Sequence, residues 1–256
     1  MKWSVIYKRE MMEYARNIKW IWVPIVFFIF GIMDQITMYY LPKIIDATGG
    51  MPEGAEINIP TPPPAEAFFL SINEMNSLGI LIIGLISMGL IAGELKNGVY
   101  ELVLSKPVKF ANYVTAKWAA LSTLVLVSLF TGLLAGWYYT NILFGDLGFD
   151  KFLTAFLIYG IYLIFFITIA VLVNTWFKSP GMVLFLSILL IVLVNLLTSA
   201  FGHILTWSPG HISSYISTYL FTGTLTGEMW GAIGTTIVLI IGMLFAAVEI
   251  LKRKEL

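Results

Sequence analysis

Of the 256 residues, 59% are hydrophobic and 12% charged, with a formal net charge of zero and no cysteine. Soluble domains carry roughly 25% charged residues, so water-facing surface is too scarce here for a soluble fold. The missing cysteines exclude disulfides, zinc–thiolate sites and thiol nucleophiles, and say nothing of the redox compartment.

The apolar runs are too long for a water-facing fold. Leu78 to Ala92, Ile158 to Val173 and Met182 to Leu197 contain no Asp, Glu, Lys or Arg. Hydrocarbon is the solvent that tolerates such runs, and it admits only helices or closed barrels. A barrel would show short alternating segments. The expected fold class is therefore an all-α membrane protein with six transmembrane helices.

The first 19 residues mix five basic residues with Glu10 and Glu13, and no small-residue cleavage site follows, which speaks against a cleaved signal peptide. Trp3, Tyr7, Met11, Tyr14 and Ile18 recur at helical spacing, while Lys2, Arg9, Glu13 and Arg16 share another face. This predicts an N-terminal amphipathic interfacial helix over 1–19. Two roles fit it: anchoring the first span among headgroups, or relaying force from a cytoplasmic partner.

Six apolar segments follow, at 20–40, 69–92, 118–144, 152–176, 181–206 and 229–250, within one transmembrane domain covering 1–256. Each is long enough to cross a hydrocarbon core of about 30 Å at 1.5 Å per residue. Of the 15 Lys and Arg residues, 13 fall before the first span, between spans two and three, between spans four and five, or after the last. Only Lys43 and Lys151 lie on the other side, which carries Asp46, Glu53, Glu56, Glu66, Asp146, Asp150 and Glu228. Cationic loops stay in the cytoplasm, so both termini are expected there, in a multi-pass protein of the cell membrane. This sidedness explains the basic rim without a nucleic-acid partner.

The loop between spans one and two holds six of the ten prolines, Pro42, Pro52, Pro60, Pro62, Pro63 and Pro64. It reads as an extended acidic connector with length enough for a small extracellular cap. Between spans five and six, Trp207 to Trp230 is rich in Ser, Thr and Gly with interleaved aromatics. Either it dips back into the membrane, or Trp207, Tyr215, Tyr219 and Trp230 hold it at the interface.

Between spans two and three, the chain from Gly93 to Lys117 reads GELKNGVYELVLSKPVKFANYVTAK. Glu94 and Glu101 flank a short helix carrying Val99, Leu102 and Val103 on one side, and Pro107 ends it. Taken alone, this is an amphipathic loop on the membrane surface. Glu94, Gly98, Leu102, Leu104, Ser105, Pro107, Lys109 and Lys117 together resemble the signature of ABC-2 type permeases, the membrane subunits of one class of ATP-binding-cassette exporters. Val99 stands where that family usually has Thr, and Lys109 where Arg is frequent. The six-span layout extends the resemblance over nearly the whole chain.

The resemblance implies that this segment is a coupling helix seated in a cleft of a separate ABC ATPase, two copies of which drive the permease. Glu94, Gly98, Val99, Glu101, Leu102, Leu104, Ser105 and Pro107 are the expected coupling residues. Lys178, in the turn Phe177 to Pro180, is either a second contact or part of a positively charged hairpin. The resemblance also implies a second permease, identical or homologous, re-entrant helices between spans five and six, and a path along the dimer interface near spans two and five. Export is the implied direction, with lipid-like, peptide or antibiotic cargo. This chain has no Gly-x-x-x-x-Gly-Lys-Ser/Thr loop, so ATP and Mg belong to the partner, and no cofactor is expected here.

Asp34, Glu74 and Glu249 are the acidic residues within the spans, where charge is costly. Asp34 and Glu74 are candidates for lining a substrate path, with an interfacial position as the alternative. His203 and His211 lack carboxylate neighbours in sequence and read as structural. Gly89 with Gly93, and Gly132 with Gly136, form small-residue pairs that permit close helix approach, in packing or in a dimer seam. No Ser/His/Asp, His-Glu-x-x-His or paired-carboxylate pattern points to an enzyme. Two other readings use the same spans: an ion-coupled secondary transporter, and a complex that transmits ATP-driven motion without moving cargo.

Overall fold

A computed structural model describes residues 2–47, 61–98 and 109–254. Among these the protein is all-helical, with six helices long and apolar enough to cross a membrane. The N-terminal helix α1 spans Trp3–Arg16, and α2 spans Lys19–Ala47. The second crossing is built from α3 (Pro64–Glu74), a π-helical turn (Met75–Gly79), α4 (Ile80–Ser87) and, after a break, α5 (Ala92–Lys96). Next come α6 (Phe110–Leu143), α7 (Phe149–Trp176) and α8 (Pro180–Ala200). A 3₁₀ turn (Pro209–His211) leads into α9 (Ile212–Thr222), and α10 (Gly227–Arg253) ends the bundle.

Proline and cap chemistry mark several starts. Pro64 and Pro180 open their helices, where the missing amide costs nothing. The Thr226 hydroxyl accepts from the Met229 amide at the head of α10. Pro24 and Pro42 lie inside α2.

The centre of the bundle is α7, which packs on α4, α6, α8 and α10. In the most apolar stretch of α7, 72% of residues are buried within the chain, against 22% for α2 and for α8. The two outlying helices therefore leave broad apolar faces to lipid or to another chain. On α8 that face includes Phe185, Leu189, Leu193 and Leu196.

Helix α2 runs along α6 in backbone contact. A Cβ at Gly132 would sit 2.4 Å from the Phe27 carbonyl oxygen, and one at Gly31 would sit 2.0 Å from that of Gly132. Lipid supplies no hydrophobic drive between helices, so close packing and buried hydrogen bonds must hold them. Beside the seam, Gln35 Nε2 donates to the Ala67 carbonyl at 3.1 Å, and the Ser71 hydroxyl donates to the Gly31 carbonyl at 2.8 Å. The Gly132 and Gly136 pair thus packs α6 on α2 and α3 within one chain. A Cβ at Gly89 or Gly93 would meet nothing within 4 Å.

The third crossing helix begins at Phe110 rather than at 118. Hydropathy stops at the charge of Lys117, but that charge is neutralised inside the bundle and the helix runs through it. Helix α8 ends at Ala200 rather than 206, because residues 201–204 turn back.

At the end of the bundle opposite α1, α9 covers α3 and α7 with Ile212, Ile216 and Leu220 buried. Eleven residues rise about 16 Å, too short to cross a membrane. The Tyr215 hydroxyl donates to the Thr206 carbonyl at 2.7 Å. Lys151 Nζ donates to the Leu220 carbonyl at 2.7 Å, satisfying a C-terminal carbonyl of α9. Lys43 sits 5.3 Å from the Tyr40 ring centroid. Both cations at this end therefore have local partners.

Candidate functional site

The second crossing does not run straight into the segment that follows it. The helix stops after Ser87 and restarts at Ala92. A break of this kind leaves backbone groups without helical partners, and each such buried group must be satisfied. Asn174 of α7 does this. Its Oδ1 accepts from the amides of Ile91 and Ala92 at 3.1 and 3.0 Å, and its Nδ2 donates to the carbonyls of Ser87 and Ala170 at 3.0 and 2.8 Å. One fully buried carboxamide bridges the break.

Two residues into α5, Glu94 turns inward to a cluster of charges. Arg9 Nη2 of α1 donates to its Oε1 at 2.7 Å, Lys117 Nζ of α6 lies 3.1 Å from the same oxygen, and the Tyr113 hydroxyl donates to Oε2. Lys117 Nζ also donates to Glu10 Oε1 at 2.8 Å. The side chains of Lys117 and Glu10 are each only 2% exposed, and that of Glu94 is 14% exposed. Two carboxylates face two cations, so the cluster is neutral as a unit. Burial nevertheless pushes the Glu10 carboxyl above its ordinary range, against the opposing pull of Lys117.

Helix α1 is therefore fixed to α6 as well as being amphipathic. Its buried residues are Ile6, Glu10 and Tyr14, so the charge of Glu10 lies at the centre of the packed stripe, not on a wet face. Trp3 Nε1 reaches the Thr115 hydroxyl at 3.1 Å, and the hydroxyls of Tyr7 and Thr123 meet at 3.0 Å. The turn into α2 passes through Ile18 at φ 57°, a left-handed conformation that β-branched residues rarely adopt.

Of the coupling residues expected from sequence, Glu94 is in this cluster, half-buried and facing the bundle. Gly98 follows α5 with φ 69°, the left-handed conformation that ends helices at a glycine. Val99, Glu101, Leu102, Leu104, Ser105 and Pro107 lie outside the described residues. Lys178 is exposed in the turn between α7 and α8. It lies near Lys254, whose ammonium donates to the Trp176 carbonyl at 2.7 Å and is held below its ordinary pKa by burial and then by Lys178.

Asp34 and Glu74 lie elsewhere. Glu74 closes α3 directly before the π-helical turn, 20 residues or about 30 Å of helix from Glu94. It acts electrostatically on Asp34 of α2, and both are half-buried. The Glu74 Oε2 and Asn76 Oδ1 atoms are buried without a hydrogen-bond partner among the described residues. Among the described residues no group of His, Asp or Glu forms a metal cage. Glu249 pairs with Arg253 at 3.1 Å on the exposed end of α10.

Sequence reading missed Glu10 and Asn174. Glu10 carried a signal in its four-residue spacing from Ile6 and Tyr14. Asn174 carried one as the only amide in the apolar stretch from Ile158 to Trp176.

Residues 4–256 match the model of a family described as ABC-2 family transporter protein. The chain is also 31% identical, over 205 residues that cover 80% of each sequence, to a protein of Bacillus subtilis (strain 168) described as "Uncharacterized transmembrane protein YxlG". The fold agrees, with six membrane-crossing helices. The chain belongs to the ABC-2 family of transporter proteins, as the membrane component that associates with an ABC ATPase and not as the ATPase itself.

Proposed function

We propose that this chain is the permease half of an exporter of the cell membrane. It pairs with a second permease, identical or homologous, and is driven by two copies of a separate ATPase that binds ATP and Mg. Both termini face the cytoplasm, and residues 1–256 act as one transmembrane domain. The segment after Glu94, with Gly98, Val99, Glu101, Leu102, Leu104, Ser105 and Pro107, seats in the ATPase, and Lys178 makes a second contact.

The observation that carries this reading is the double fastening at the root of the segment. Asn174 holds residues 87–92 to α7, and Arg9, Tyr113 and Lys117 hold Glu94 to α1 and α6. A segment pushed by a partner moves the spans only if its root is rigidly attached to them.

The path is assigned to the faces of the second and fifth crossings. Helix α4 packs on α8, where a Cβ at Gly84 would meet Leu184 at 2.9 Å, and both helices expose apolar residues beside that contact. Asp34 and Glu74 line its outer part, and the short turn and α9 gate the outer exit as re-entrant helices. Lipid-like, peptide and antibiotic molecules are the cargo classes such an apolar path suits.

The test is co-purification with an ABC ATPase encoded beside this chain, followed by ATP turnover in proteoliposomes. The paired substitutions Glu101→Ala and Leu102→Ala are expected to abolish assembly and stimulated turnover while leaving the thermal stability of the isolated permease unchanged. Intact assembly and turnover would remove the coupling assignment.

A further inference from the structure

Beside the ion cluster, between α1, the start of α2 and α4, lies a half-enclosed cavity of about 240 Å³. It has room for roughly eight waters at about 30 Å³ each, or for one small polar headgroup. Its polar lining includes Glu10, Glu13, Tyr14, Lys19, Glu94 and Lys117.

Four of the charges around it are already accounted for: Glu10 and Glu94 by Lys117, and Glu94 again by Arg9. Three polar groups are left over. The Tyr14 hydroxyl is buried with no hydrogen-bond partner among the described residues, in a residue 1% exposed. The Lys19 ammonium sits 5.1 Å from the Tyr14 ring centroid and forms no ion pair among the described residues. The Glu13 carboxylate, on the exposed rim, is also without an ion pair among the described residues, although it and Lys19 act on each other electrostatically. Leaving a buried hydroxyl without a partner is unfavourable, so a partner in the cavity is energetically favoured.

The leftover set is one cation, one anion and one hydroxyl. A simple anion would satisfy Lys19 and Tyr14 but leave Glu13 facing it, and a simple cation would do the reverse. A headgroup bearing both a phosphate and an ammonium satisfies all three. The remaining wall is apolar and includes Leu85, Met88 and Leu90, with Leu85 open to lipid. Lys19 opens the first crossing, at headgroup depth.

We propose that this cavity holds the headgroup of one amine-bearing zwitterionic phospholipid, its phosphate on Lys19 and Tyr14, its ammonium on Glu13, and its acyl chains along Leu85. The site does not depend on the transport reading: it concerns a resident lipid that fills the angle between α1 and α2.

The test is native mass spectrometry of the full-length protein, delipidated in detergent and titrated with phosphatidylethanolamine or phosphatidylglycerol. Phosphatidylethanolamine is expected to be retained preferentially. Glu13→Gln, on an exposed residue that folding does not require, should weaken its retention about fivefold, the worth of one partly exposed ion pair, and leave phosphatidylglycerol unchanged. Lys19→Gln should weaken both. Equal retention of the two lipids, or an unaltered titration in Glu13→Gln, would overturn the proposal. So would binding of soluble glycerophosphoethanolamine as tight as that of the whole lipid, which would make the occupant a solute and not a membrane lipid.

Discussion

Lys117 on α6 and Glu10 on α1 meet at 2.8 Å with both side chains almost completely excluded from solvent. Removing one member of such a pair leaves the other as an uncompensated buried charge, which costs about 3–5 kcal/mol, whereas replacing both with apolar groups is often neutral. Lys117→Met is therefore expected to lower the melting temperature of the detergent-purified protein sharply. The double variant Lys117→Met with Glu10→Leu should recover most of the loss, because Glu94 keeps Arg9 and Tyr113.

The same pair sets a pH dependence. Burial raises the folded-state pKa of Glu10 above the ordinary 4.5, so the folded protein binds this proton more tightly than the unfolded chain does. The associated stability is fully present below the ordinary pKa and is lost as pH rises through the folded value. Melting temperature plotted against pH should therefore fall less steeply in Glu10→Gln than in the parent on the basic side of 4.5. Parallel curves for the two proteins would contradict this.

Asn174 offers a separate handle on the break in the second crossing. Asn174→Leu removes both acceptor and donor, leaving the amides of Ile91 and Ala92 buried without that acceptor, while the Ser87 carbonyl keeps the Leu90 amide at 3.1 Å. A loss on the order of 2–4 kcal/mol is expected. Hydrogen exchange should show faster labelling confined first to residues 88–95. Asn174→Asp keeps the acceptor, and should protect the two amides better than the leucine variant does.

The glycines differ in a way that substitution will expose. Gly132→Ala forces a methyl group against the Phe27 carbonyl, and should cost about 1–3 kcal/mol or more by overpacking. Gly89→Ala enters open space and should stay within about 0.5 kcal/mol of the parent. Thermal unfolding in detergent compares the two directly.

How much of this was legible beforehand depended on the distance over which each signal acts. The six crossings could be read from runs such as Ile158 to Val173, because hydropathy is a local property and lipid tolerates no alternative. The ion cluster was not legible, since Arg9 and Glu10, Glu94, and Tyr113 and Lys117 come from three separate stretches and each resembles an ordinary surface residue in its own neighbourhood. Lys117 even misled the boundary of its helix. Glu94 stood out by its resemblance to a family motif, which indicated a role but not that its side chain turns into the bundle. The pairing of Gly132 and Gly136 was visible, whereas their partner Gly31, a hundred residues away, carried no pattern of its own. Asn174 was hidden because a lone amide in an apolar run declares that a partner exists without saying which.

The glycine seam between α2 and α6 has a mechanical corollary. Two helices whose backbones touch, with hydrogen bonds from Gln35 and Ser71 fastening α3 to α2 beside the seam, cannot slide past each other without breaking contact along the whole seam. They behave as a single post, and α1 is bolted to its base through Lys117. On the proposed coupling, a displacement delivered at residue 94 would pass through Arg9 and Lys117 into that post and reach its far end as a tilt against α7.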